Sequence, residues 1–148
     1  MAKLSLHLST GEVIRGSGFN SWDEVPEDLR ASILSAAVLM FEPVRQRLDK
    51  PITILAGGGI RSEEMNERVG GAPNSTHKRG LALDMKCRDP EDIVALFDLC
   101  AEMQSSGDIP KGGLSLYIRK TGTPRFVHCD MRGRRARWGT KNRAKVSV

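Results

Sequence analysis

The sequence predicts an α+β fold, a small antiparallel sheet flanked by helices, and three observations carry that prediction. Short runs over residues 4–9, 81–87, 114–119 and 125–131 largely alternate apolar and polar side chains, the period-two pattern of a half-buried strand. Between Leu29 and Leu48 the apolar residues instead recur every three or four positions, which is one face of an amphipathic helix. Strands and helices also follow one another without a regular β-α-β rhythm, which favours α+β over a parallel α/β sheet.

Taken in order, LSLHLS (4–9) reads as a short strand with His7 on its polar face. GSGFNSWDEVPED is a loop, and Pro26 then sits in the first turn of a helix with Glu27 and Asp28 at its positive end. Leu29, Ile33, Ala37, Met40, Val44 and Leu48 form its inner face, and Pro43 is expected to kink or divide it. PITILA (51–56) is apolar and β-branched, a buried strand ending in the turn Gly57-Gly58-Gly59. Ser62 caps a short helix to Val69, with Glu63 and Glu64 in its first turn. After the loop GGAPNS comes the strand LALDMKC. A helix follows from Pro90 to about Met103, with Ile93, Val94, Phe97 and Cys100 turned inward and Asp98 outward. LSLYIR (114–119) and RFVHCDM (125–131) are the last two expected strands, joined by the turn TGTP.

At 148 residues the chain reads as one domain, long enough to bury a core without disulfide staples. Its three cysteines, Cys87, Cys100 and Cys129, make neither a disulfide framework nor a C-x-x-C ligand pair, so they read as reduced, buried small hydrophobes. No apolar run approaches the roughly 18 residues that cross a bilayer. The opening MAKLSLHLSTGEVIRG also lacks the apolar region, about 7–15 residues long, of a secretory signal. The net charge of +5 is uneven: from Ile109 onward eleven Lys and Arg face one acid, Asp130, which leaves −5 on residues 1–108. Such a basic tail (132–148) suits a polyanion, nucleic acid or anionic cell-wall polymer alike, and it also suits a plain solvated face.

The chemistry gathers around two strand-like segments. On alternating faces, Leu81, Leu83 and Met85 pack inward while Ala82, Asp84 and Lys86 face outward. In the other segment Val127, Cys129 and Met131 pack inward while Phe126, His128 and Asp130 share the opposite face. Gly80 permits a close approach, so His77 can fold back beside Asp84. Two imidazoles and a carboxylate are the ligand type of a catalytic zinc site with a position left open. A loop histidine that is merely hydrogen-bonded is the plain alternative. Asp130 is the nearest group to take a proton. It has two other readings: an outer partner orienting a histidine ligand, or an ion-pair partner for the arginines that follow. Arg61, at the end of the triglycine loop, is placed to hold a substrate carboxylate or a developing oxyanion.

STHKRGLALDM resembles the Ser-x-His-x-x-Gly-x-Ala-x-Asp signature of the zinc D-Ala-D-Ala metallopeptidases, with Ser75, His77, Gly80, Ala82 and Asp84 at its fixed positions. GGGIRSEEMNERVGGAPNS is similar to that family's Gly-Tyr-Arg-Ser segment, with Ile60 in the aromatic place and Arg61 sixteen residues before the first ligand. GGLSLYIRKTGTPRFVHCDMRGRRARW resembles the closing segment of the murein endopeptidase branch, Phe-Val-His-x-Asp and a terminal Arg-x-x-Trp. Where many members carry an acid three residues before the last histidine, this chain has Arg125. The likeness covers about residues 40–139. It implies a hedgehog/D,D-peptidase-like fold with one zinc on the open face of the sheet, held by His77, Asp84 and His128. It also implies Arg61 and Asp130 as catalytic residues, and Arg61, Ser75 and Tyr117 as substrate contacts.

The function implied is a zinc-dependent peptidase of bacterial peptidoglycan stem peptides or cross-bridges, acting as endopeptidase or D,D-carboxypeptidase. Without an export signal, it is expected to be a phage-type lysin made in the cytoplasm that acts after lysis or from a virion. The basic tail would hold an anionic wall polymer. A catalytically silent binding protein of the same fold is the alternative. A basic nucleic-acid-binding virion protein is a third reading, which the tail's one aromatic, Trp138, and its lack of a nucleic-acid motif disfavour. Nothing in the sequence specifies an oligomeric state.

Overall fold

The computed structural model describes residues 2–141 and 144–146, with side chains through residue 139. The opening segment is not one strand but a tight hairpin, β1 (Lys3–Ser5) against β2 (Leu8–Ser9), with His7 in the turn. The turn is drawn onto the body of the protein by Glu42. Its carboxylate accepts hydrogen bonds from Ser5 Oγ (2.8 Å) and His7 N (3.1 Å) and lies 2.5 Å from His7 Nδ1. A short helix α1 (Thr10–Ile14), which alternation alone does not suggest, follows at once. Ser9 and Glu12 close a reciprocal capping box at its start.

The long amphipathic stretch is α2 (Glu27–Ala36), a π-helical turn over Ala37–Phe41 and α3 (Glu42–Leu48). Pro43 is the cause of the irregularity. Its ring would clash with the carbonyl four residues back, and it has no N–H to donate. The chain widens there, with Glu42 N bonding Ala37 O, so the expected kink becomes an inserted wide turn and the helical run continues. β3 shrinks to Thr53–Ile54, and α4 (Glu63–Arg68) is capped by Ser62 as expected, its hydroxyl accepting from Met65 N. α5 (Pro90–Ser106) outruns the expected Met103 and ends at Gly107 in the left-handed conformation (φ 84°). Its buried stripe is Ile93, Leu96, Cys100, Met103 and Gln104, whereas Val94 points outward, contrary to expectation. Asp98 is exposed as expected.

The main sheet has six strands in the order β3-β4-β6-β5-β7-β8, with β4 (Ala82–Lys86), β5 (Gly113–Ile118), β6 (Pro124–Asp130), β7 (Ala136–Lys141) and β8 (Ala144–Val146). It is mixed rather than antiparallel: β7 runs parallel to β5. The basic tail is therefore, in large part, sheet; its residues 142, 143, 147 and 148 lie outside the described residues.

α5 packs across β5 and β6. Ile93, Leu96, Cys100 and Met103 of that stripe join Leu83, Met85, Leu114, Val127 and Cys129 from the sheet and Met40, Phe41 and Val44 from the helical run in one apolar core. Each such side chain contributes roughly 1.5–3 kcal/mol on full burial. All three cysteines are free and buried. With one face of the sheet covered, the polar side chains of the other are left to build a site.

Candidate metal centre and cleft

Strand register decides which side chains meet on that second face. Asp84 pairs with His128 across β4 and β6, His128 with Ser115 across β6 and β5, and Ser115 with Trp138 across β5 and β7. Directly opposed residues share a face, so Asp84, His128, Ser115 and Trp138 form one row across four strands. Next to that row, Ala82 opposes Asp130 and Gly113 opposes Ala136. A Cβ on Gly113 would lie 2.5 Å from Asp130 Oδ2 and 2.7 Å from the Arg132 guanidinium. The absence of a side chain there makes room for that ion pair.

His77 comes from the loop before β4. Gly80 takes φ 70° and lies against α2, with Leu29 O 3.0 Å from where its Cβ would be, so the chain doubles back as the sequence suggests. The triglycine loop is stitched to β4 by Asp84 N→Gly58 O (2.7 Å) and Leu55 N→Asp84 O (3.1 Å), and Arg61 N bonds His77 O (3.1 Å). His77 Nδ1 lies 2.8 Å from Gly59 O, a contact that needs a proton on Nδ1. This leaves Nε2 as the nitrogen turned toward the cluster, 3.2 Å from Asp84 Oδ2.

His128 uses the other nitrogen. Its Nδ1 faces Asp84 Oδ1 at 3.0 Å while its Nε2 meets Asp130 Oδ2 at 2.7 Å. His77, Asp84 and His128 are all buried, and each offers a ligand atom within 4.8 Å of the others, so the trio can hold a metal ion.

The electrostatics follow from this packing. Burial works to lower the basicity of His128, but hydrogen bonds to Asp130 and Asp84 outweigh it, and its pKa is pushed up to about 9. Burial works to raise the Asp84 pKa. The charge of His77 and hydrogen bonds with His128 and His77 overcome it and hold Asp84 well below the usual carboxylate range. Asp130 is held low as well, against burial, by His128 and Arg132.

Asp130 is 0% exposed and both its oxygens are engaged. Oδ1 accepts from Gly113 N (2.8 Å), Arg132 N (3.0 Å) and Arg132 Nε (3.0 Å). Oδ2 takes His128, an Arg132 terminal nitrogen at 2.7 Å and Thr76 Oγ1 at 3.3 Å.

His77, Asp84 and His128 line a cleft of about 720 Å³ together with Arg61, Ser75, Tyr117, Phe126 and Trp138. Arg61 is held by Gly57 O (2.8 Å) and Asn66 Oδ1 (3.1 Å), with a terminal nitrogen 3.8 Å from Asp84 Oδ2. Ser75 Oγ accepts from His77 N (3.2 Å). Tyr117 stacks on Phe126 (centroids 4.4 Å apart) and its hydroxyl accepts from Trp138 Nε1 (3.4 Å). Trp138 lies 5.4 Å from the His128 ring, and the Arg132 guanidinium 5.0 Å from the Trp138 ring.

A family model described as peptidase M15 matches residues 7–130. The chain belongs to the peptidase M15 family. No curated protein sequence matches it. M15 members are zinc-dependent metallopeptidases, and this member places a His/Asp/His cluster fit for a metal where the signature predicts one. The match begins at His7, well before the expected residue 40, and stops at Asp130, so Arg132, Arg134 and Trp138 of the cleft lie beyond it.

One residue that supports the cleft escapes sequence reasoning. Asn66 lies on a helix with three glutamates, which reads as a solvated element, yet it is 2% exposed. It ties Arg61 to the loop ahead of His77 by Nδ2→Ala72 O (2.9 Å) and Gly71 N→Asn66 O (2.8 Å). The available signal is its spacing, five residues after Arg61 on a capped helix beside a Gly-Gly turn. Among the described residues no helix is long and apolar enough to cross a membrane.

Proposed function

We propose that this protein is a zinc-dependent peptidase that hydrolyses peptide bonds of bacterial peptidoglycan, in stem peptides or cross-bridges, as an endopeptidase or D,D-carboxypeptidase. We assign it a hedgehog/D,D-peptidase-like fold with the zinc on the open face of the sheet, and the role of a phage-type lysin. The observation that carries this reading is the buried His77–Asp84–His128 cluster in the arginine-lined cleft of an M15 family member.

The donor chemistry fits zinc. Two imidazole nitrogens and a carboxylate converge, and each imidazole is oriented through its far nitrogen, by Gly59 O for His77 and by Asp130 for His128. Paired support of this kind raises ligand basicity and fixes the ring planes. Zinc, when bound, acts as a Lewis acid toward the scissile carbonyl and the attacking water.

The chain's own residues do the rest. Arg61, pinned through Nε by Gly57 and through one terminal nitrogen by Asn66, keeps its other terminal nitrogen for a substrate carboxylate or the developing oxyanion. Ser75 and Tyr117 on the walls contact the peptide. Asp130, fully buried with both oxygens bonded, is assigned as a positioning residue for His128 rather than as the proton acceptor. The basic tail after it, with Arg135 exposed, is proposed to hold anionic wall polymer.

The test is mass spectrometry of purified murein incubated with the protein, with and without chelator. New peptide termini that vanish on chelation and return with added zinc are expected, and their masses identify the bond. Unchanged muropeptides in the presence of zinc would refute the assignment.

A further inference from the structure

Four arginines, Arg61, Arg79, Arg132 and Arg134, line the cleft against one carboxylate, Asp84. Two of the four already have partners within the protein. Arg61 is engaged by Gly57, Asn66 and Asp84, and Arg132 by Asp130 and the Trp138 ring. Arg79 and Arg134 are exposed, and their side chains make no ion pair among the described residues.

Both are nevertheless carried on fixed backbone. Arg79 sits in a turn closed by Arg79 N→Thr76 O (3.2 Å) and Leu81 N→Thr76 O (3.0 Å), two residues beyond the metal-site histidine His77. Arg134 sits in the turn between β6 and β7, whose two ends are held. Arg132 grips buried Asp130, Gly133 N bonds Lys111 O (3.1 Å), and β7 then pairs with β5 so that Trp138 rests beside His128. Two guanidinium groups without an ion pair, carried on held turns along a cleft with a net positive lining, favour an anion, and the planar fork favours a carboxylate.

We propose that Arg79 and Arg134 form a second anion subsite that selects peptides bearing a free carboxylate away from the scissile bond. Such a peptide is an acidic stem peptide, in preference to its carboxamide counterpart. This rests on the peptidase reading above and deepens it, and it places a specificity determinant in the segment beyond the family match.

The experiment compares synthetic stem peptides that differ only by carboxylate or carboxamide at the isoglutamyl and diamino-acid positions. The zinc-loaded protein should hydrolyse the acid form with roughly tenfold higher kcat/KM, mostly through KM, as one charge-assisted contact implies. The double variant Arg79→Gln/Arg134→Gln should lose that preference while hydrolysing the amide form as the wild type does. The corresponding double Lys variant should retain part of it. Binding of the same peptides, measured by calorimetry with chelator present, should show the same ranking without hydrolysis. Equal kcat/KM for acid and amide forms, or a preference that survives the Gln double variant, would overturn the subsite and leave the peptidase reading standing. Absent hydrolysis with the binding preference intact would overturn the peptidase reading and support the subsite.

Discussion

Replacing Asp130 by Asn separates two roles that predict different failures. The carboxylate receives the Arg132 fork, the Gly113 and Arg132 amides, Thr76 and His128 Nε2, and it has no exposed surface. An amide of the same shape keeps one acceptor oxygen but turns an NH₂ toward either His128 or Arg132, both of which donate. Breaking a buried ion pair by neutralising one partner costs roughly 3–5 kcal/mol. Because the Arg132 side chain is 21% exposed and can regain water, the lower end of that range, about 3 kcal/mol, is expected here. Denaturant unfolding should report it.

Loss of an orienting partner lowers metal affinity or activity by roughly 10–100-fold. Loss of a general base costs about 10²–10⁴ in rate whatever the metal concentration. The measurement is kcat/KM on a soluble muropeptide across a zinc titration. For Asp130→Asn the curve should shift to higher zinc and recover to within about tenfold of wild type at saturation. A variant that binds zinc normally and stays nearly inactive at saturation would show that Asp130 takes the proton and that the positioning assignment is wrong.

Arg61→Lys should retain fold and metal yet lose most activity, because an ammonium cannot serve Gly57, Asn66 and a substrate together; activity within a few-fold of wild type would remove Arg61 from the mechanism. Asn66→Ala should reduce stability by about 1–3 kcal/mol and lower kcat more than it raises KM, since it frees Arg61 and the Ala72 carbonyl at once; unchanged kcat would refute its positioning role. Glu42 sits below its ordinary pKa, since its bonds to His7 and Ser5 outweigh burial. Its contribution is therefore complete above the ordinary glutamate value and lost as pH falls through the folded-state value. Glu42→Gln should cost about 1.5–3 kcal/mol at neutral pH and flatten the acid limb of the stability curve; an acid limb identical to wild type would exclude Glu42 as its source.

Much of the site was legible in the sequence because alternation along a strand is a local property. The segments at 81–87 and 125–131 announce which side chains share a face, so Asp84, His128 and Asp130 can be placed outward before any pairing is known. The same locality explains the Ser62 cap, the irregular helix ahead of Pro43 and the left-handed Gly80.

What sequence alone could not determine depends on partners distant in the chain. Register is set by packing of the whole sheet, and only register puts Asp84, His128, Ser115 and Trp138 in one row. The parallel seat of β7 beside β5 turns a charged tail into a cleft wall, and charge counting sees only the tail. LSLHLS alternates like a strand but turns at His7, because Glu42, 35 residues later, satisfies the turn. Asn66 looks solvated among its glutamates until the loop through Gly71 and Ala72 folds over it. Which nitrogen each histidine turns to the cluster also belongs to tertiary structure: Gly59 O claims Nδ1 of His77 and Asp130 claims Nε2 of His128, so the two histidines offer opposite nitrogens. Residue types name the candidate ligands, but the hydrogen bonds that orient them come from backbone and side chains brought together only when the chain has folded.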